Sequence, residues 1–292
     1  MRARREKPLD SPVEVIVLNV QDKILSSKPS WSGKITLPEV EINGVKINYV
    51  ATGKGTEAIV FVHGLGENLE SWKHQLETFS KVFKVVALDL RGHGKSGVPK
   101  KKIEIGDFAE DIRGLLGKLD IRKAHFCGLS MGALVLFELY KRHPDCFLSM
   151  ILVATRHRYP PAQTGALEGM NMEIIGEEVA TFALAASAPE SLKEEVAKMI
   201  ADTKKDIYLQ SAEATCMIDY ADLLPKIMVP TLIVVGDLDI VTPVDSAEIL
   251  KKDISKSTLK IMRGTGHLPN IEKPQEFNKI LQAFLDTIEK RV

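Results

Sequence analysis

Ser130 stands between two glycines in the stretch A-H-F-C-G-L-S-M-G-A, residues 124–133. A serine hydroxyl is a weak nucleophile near neutral pH. To attack a carbonyl it must be raised on an exposed turn, paired with a base, and faced by donors for the oxyanion that forms. The spacing answers the first requirement. Gly128 and Gly132 lack a Cβ, so a strand and the helix after it can pass closely, with Ser130 at the tip of a sharp turn. The helix that follows directs its first N–H groups at the same point, and that of Met131 is placed to hold a developing negative charge. A base and an orienting carboxylate are sought downstream. After an apolar run to Val235 the chain reads Gly236-Asp-Leu-Asp-Ile-Val-Thr-Pro243, which puts Asp237 and Asp239 on a strand-end loop. After Met262 it reads Arg263-Gly-Thr-Gly-His-Leu-Pro-Asn270, which puts His267 on another. Serine, acid and histidine therefore follow one another on loops that each end a strand.

The elements that must position these loops are legible as alternating runs. Asn43-Gly44 is a two-residue hairpin signal between apolar residues 40–42 and 45–50. Residues 58–62 form a continuous apolar run ending at His63-Gly64-Leu65-Gly66, as a buried strand meeting a glycine-rich loop does. Further strands are expected at 83–88, 148–154, 231–235 and 258–262. Helices are expected near 69–80, 105–119, 133–141, 246–250 and 274–288. Such alternation predicts right-handed crossovers and a mostly parallel sheet covered on both faces, with ligands at the C-terminal strand ends. The rhythm breaks over 155–226, where helices are expected at 177–186, 192–200 and 207–218 and no strand is. This stretch reads as a helical cap inserted between two strands. The expected organisation is an N-terminal extension, 1–36, a core of 37–154 and 227–292, and a cap of 155–226. Within the extension, residues 11–25 carry Ser11-Pro12 and Glu14 as a helix start, though the same run is also β-prone. It reads as an arm packed on the protein's own body or as a peripheral contact for a membrane or partner.

Composition narrows the classes. The 292 residues hold 39 basic and 39 acidic side chains, so no net field favours nucleic acid. Three cysteines, Cys127, Cys146 and Cys216, fit neither a disulfide framework nor a metal knuckle. The basic start lacks a long apolar core, and no run is long enough to span a bilayer, so a cytoplasmic location is expected. The segment Asp89-Leu-Arg-Gly-His-Gly-Lys-Ser96 ends like a phosphate-binding loop, but Asp89 occupies the position of its first glycine. Neither a metal nor a cofactor is expected. His63 and His93 read as organisers of turns. Arg156, His157 and Arg158, leaving a strand end beside Tyr159, could pair with a substrate carboxylate. Trp72 is a further substrate-binding candidate, set against plain core packing. Met170, Met172, Met199, Met217, Phe182 and Leu184 could line the cap.

From about residue 40 to its end the chain resembles the α/β-hydrolase fold superfamily, and in particular its serine-type esterases and lactonases. Five motifs of that family occur in order: H-G-x-G at 63–66, D-x-R-G-x-G-x-S at 89–96, G-x-S-x-G at 128–132, G-x-x-D-x-x-x-P at 236–243, and G-H-L-P-N-I-E-K-P at 266–274. The resemblance implies that Ser130 is the nucleophile, His267 the base and then acid, and Asp239 rather than Asp237 the orienting carboxylate. It also implies backbone oxyanion donors at Leu65 and Met131, no cofactor, and a small ester or acyl substrate. Lactonases, carbon–carbon bond hydrolases and cofactor-free perhydrolases use the same triad. A non-catalytic ligand receptor on this scaffold is the alternative from another class.

Overall fold

A computed structural model describes residues 39–161, 164–167 and 169–289. The expected helix at 11–25 and the role of the N-terminal extension lie outside the described residues. The chain opens with a hairpin, β1 (Glu39–Ile42) and β2 (Val45–Thr52). Asn43 at φ 50° and Gly44 at φ 73° form its two-residue turn, the left-handed pair that matches strand twist. There follow β3 (Ala58–Val62), α1 (Lys73–Phe79), β4 (Lys84–Leu88), α2 (Ile105–Lys118), β5 (Ala124–Leu129), α3 (Met131–Arg142) and β6 (Phe147–Val153). Three helices come next, α4 (Met172–Ala183), α5 (Glu190–Ala201) and α6 (Lys205–Cys216). The chain then resumes as β7 (Thr231–Gly236), α7 (Val244–Asp253), β8 (Ser257–Met262), a short α8 (Pro269–Glu272) and α9 (Pro274–Glu289).

The strands form one sheet in the order β1-β2-β4-β3-β5-β6-β7-β8. The pairs β1–β2 and β2–β4 are antiparallel, and every later pairing is parallel. Burial explains why the central strands read as unbroken apolar runs. Val60 and Val62 of β3 pack with α2 and α3 on one face, while Ile59 and Phe61 pack with α1 and α9 on the other. A strand covered on both sides has no polar face to alternate with. The chain leaves β3 toward β4 on one side and returns to β5 on the other, so β3 and β5 are neighbours whose connections diverge. Such a switch point opens a crevice at the C-terminal strand ends, here immediately before His63 and Ser130. Among the described residues no helix is long and apolar enough to cross a membrane. The three cysteines are free thiols.

Candidate active site

Ser130 occupies the turn between β5 and α3 with φ 52° and ψ −114°. A non-glycine residue held there costs about 1–3 kcal/mol, and the surroundings must impose it. Its N–H donates to the Val153 carbonyl at 2.9 Å, and its carbonyl accepts from the Thr155 hydroxyl at 3.2 Å. Both flanking glycines are required. A Cβ on Gly132 would strike the carbonyl oxygens of Val62 and His63, and one on Gly128 would reach the Gly132 carbonyl oxygen at 2.6 Å. The first N–H groups of a helix have no acceptor within it, and that of Met131 begins α3 beside Ser130.

The β7 and β8 loops bring the acid and the imidazole together. Nδ1 of His267 lies 2.9 Å from Oδ2 of Asp239. Asp239 is enclosed on its other sides: Oδ1 accepts the N–H groups of Val241 and Thr242 at 2.8 Å each, and Oδ2 accepts the Thr242 hydroxyl at 2.6 Å. Burial works to raise its pKa, but the bonds from His267 and Thr242 outweigh that and hold it below the usual carboxylate value. Asp237 faces elsewhere, accepting the Gly264 N–H at 2.6 Å with Arg263 3.6 Å away. The His267 loop is set by a carboxylate to which the sequence reading attached no role. Glu272 accepts the N–H groups of Gly266 at 2.8 Å and Leu268 at 3.3 Å, and through its other oxygen that of Ala185 at 2.9 Å. The N–H of His267 itself donates to the Ala183 carbonyl at 2.6 Å, which joins the end of α4 to the loop.

Ser130, Met131, His267 and Leu65 line one cavity of about 290 Å³, with Tyr159, Glu67 and apolar side chains of α4, α5 and α6. This volume is at the small end of ligand sites, which suits a compact substrate. The Ser130 hydroxyl meets the Tyr159 phenol at 3.3 Å. Neither Tyr159 nor Glu67 was singled out by spacing as a neighbour of the serine. Tyr159 is 29 positions away in sequence, and an acid in a glycine-rich loop carries no sign that it is buried. His63 is neutral: burial drives its pKa down to about 4. Its Nε2 accepts the Leu90 N–H at 3.0 Å and its Nδ1–H donates to the Gly64 carbonyl at 2.8 Å, so it braces the loop that carries Leu65.

None of the four residues expected to bind substrate, Trp72, Arg156, His157 and Arg158, lines this cavity. Trp72 is fully buried in the core, with ring centroids 4.9 Å from Phe61 and 6.2 Å from Phe277. Arg156 donates to the Val241 carbonyl at 2.7 Å and lies 5.5 Å over the Tyr159 ring. Arg158 and His157 turn to Asp219, at 3.5 and 4.0 Å. Of the apolar side chains expected to line the cap, Phe182 reaches the cavity. Leu184 and the four methionines do not, and Met217 is 83% exposed.

A mostly parallel sheet with a strained serine turn at its switch point and a His–Asp pair on later strand-end loops defines a hydrolase scaffold. The chain belongs to the α/β-hydrolase fold family. The family model for that fold matches residues 57–189. The chain is 30% identical over 250 residues to 3-oxoadipate enol-lactonase 2 of Acinetobacter baylyi, covering 82% of this chain and 93% of that protein. In structure it is similar to an enol-lactonase from Burkholderia xenovorans LB400, with TM-score 0.80, 29% identity, and coverage of 85% of this chain and all (100%) of that one. A thermophilic esterase from Thermogutta terrifontis matches with TM-score 0.81 and 26% identity, over 86% of this chain and 99% of that one.

Proposed function

We propose that this chain hydrolyses carboxylic esters of compact, largely apolar substrates through an acyl-enzyme on Ser130. The observation that carries the reading is the shared cavity of Ser130 and His267, with Asp239 bonded to the far ring nitrogen of that histidine. Substrate entry turns the Ser130 hydroxyl from Tyr159 toward Nε2 of His267, which takes its proton as the oxygen attacks the carbonyl carbon. The N–H groups of Leu65 and Met131 hold the resulting oxyanion. Its collapse expels the alcohol, which leaves with the proton from His267. Water then gives a proton to the same nitrogen as it attacks the acyl carbon, and collapse of this second tetrahedral intermediate frees the acid while His267 returns the proton to the Ser130 oxygen. Residues 155–226 serve as the cap, since α4, α5 and α6 supply most of the apolar lining. A cyclic ester is a natural variant of this substrate. The small cavity favours it, and the relatives just described include enol-lactonases.

The test is turnover of p-nitrophenyl acetate. Ser130→Ala should abolish it with an unchanged melting temperature. Turnover that survives the substitution would place the chemistry elsewhere, and a wild-type chain inert toward every ester and lactone would point to a ligand receptor.

A further inference from the structure

Glu67 is a charged-type residue in the cavity that the proposed reaction does not use. It is only 4% exposed and lines the cavity with Ser130 and His267, and its Oε2 has no hydrogen-bond partner. Its Oε1 is held over the loop that carries Leu65, so close that a Cβ on Gly64 would meet it at 2.7 Å. Most of its companions in the lining are apolar, among them Val179, Phe182, Val196, Ile200 and Leu268. A buried carboxyl without a full set of partners is costly, and a ligand that enters the cavity beside it is one way to complete them. Burial raises the pKa of this carboxyl, against the lowering influences of Ser71, His267 and Gly64, which favours the neutral acid. A neutral carboxyl is a hydrogen-bond donor, which a carboxylate is not.

We propose that Glu67 is a specificity-determining residue: its carboxyl donates a hydrogen bond to a substrate oxygen outside the reacting ester group. The site thereby selects neutral esters bearing an ether, keto or hydroxyl oxygen over alkyl esters of the same shape. This inference rests on the proposed esterase reading for its choice of substrate.

The experiment compares isosteric pairs that exchange one methylene for oxygen. One pair is p-nitrophenyl pentanoate and p-nitrophenyl methoxypropanoate, the other butyl acetate and methoxyethyl acetate, each rate divided by that of hydroxide-catalysed hydrolysis. The readout is the ratio of kcat/KM, ether to alkyl, within one protein. In at least one pair the wild type should favour the ether by roughly tenfold, the range of one hydrogen bond. Glu67→Gln, which keeps a neutral donor, should retain the preference, and Glu67→Leu should bring the ratio to about one. A wild-type ratio near one in both pairs, or an unaltered preference in Glu67→Leu, overturns the assignment. Calorimetric binding of the same esters to Ser130→Ala chains, with and without Glu67→Leu, reads the same ratio without turnover. Failure of the esterase reading and failure of Glu67 selection therefore give different results.

Discussion

Asp239→Asn is the substitution whose outcome the hydrogen-bond pattern determines most completely. In the native chain Oδ1 receives two backbone N–H groups and Oδ2 faces Nδ1 of His267 and the Thr242 hydroxyl. An asparagine has one oxygen to divide between these sides. If its amide nitrogen faced Val241 and Thr242, two charge-assisted bonds would be lost and donors would oppose donors, at a cost of about 3–6 kcal/mol. The oxygen therefore stays at the Oδ1 position and the amide N–H points at Nδ1 of His267. The imidazole must then accept at Nδ1 and carry its proton on Nε2, the nitrogen that has to receive the proton of Ser130. Loss of the base in that tautomer should lower kcat by about 10⁴-fold, equivalent to roughly 5.5 kcal/mol of barrier. The assay is kcat/KM on p-nitrophenyl acetate, with urea unfolding to show that the fold is retained. Nitrogen NMR of His267 should report the proton on Nε2 in the variant and on Nδ1 in the wild type. A loss smaller than tenfold, or an unchanged tautomer, would refute the reasoning.

Three other outcomes follow from packing and burial. Gly132→Ala should destabilise the fold by about 3 kcal/mol, because the new methyl meets backbone oxygens of Val62 and His63 that cannot move aside; urea unfolding checks it, and a near-neutral result would contradict the close crossing of α3 over the β3 loop. Arg91→Ala should cost about 3–5 kcal/mol by stranding the fully buried Asp111, to which Arg91 makes two bonds of 2.6 Å, whereas replacing both residues by leucine should cost clearly less. His63 is held neutral by burial with its pKa near 4, against an ordinary value of 6.5, so stability is complete above pH 6.5 and falls as pH drops toward 4, by about 3 kcal/mol. Proton NMR of the folded chain should show His63 not titrating above pH 5, and a midpoint near 6.5 would remove the effect.

How far the sequence was legible depended on whether a local pattern had a local cause. The hairpin turn at Asn43-Gly44 and the strands β3 and β5 needed only turn stereochemistry and two-sided burial, and both are properties of the residues themselves. Helix limits were less visible. α4 begins at Met172, five residues ahead of its expected start, because Asn171 accepts the Ile174 N–H at 2.9 Å; the apolar repeat does not register that cap. α6 ends at Cys216, and the apolar residues after it, such as the exposed Met217, extended its expected range past the true end. The serine, the histidine and their strand-end loops could be read from glycine spacing, since close backbone approach demands glycine. The arginines could not be placed from sequence. Their partners, Val241 and Asp219, lie 85 and 61 positions away, and a run of charge looks the same whether it faces ligand or chain. Glu67 was hidden for the converse reason, because an acid in a glycine-rich loop reads as exposed, whereas here it is 4% exposed and lines a cavity with residues of α4, α5 and α6 that are distant in sequence.

The most direct measurement is intact-protein and peptide mass spectrometry after exposure to a fluorophosphonate, which reacts with a serine only where a base removes its proton. One adduct per chain is expected, on the peptide holding Ser130, with turnover lost in proportion. Labelling should be slowed at least a thousandfold, on the order of a lost general base, in His267→Ala. An adduct on another residue, or a native chain that takes up none while remaining folded, would contradict the assignment of Ser130 as an activated nucleophile.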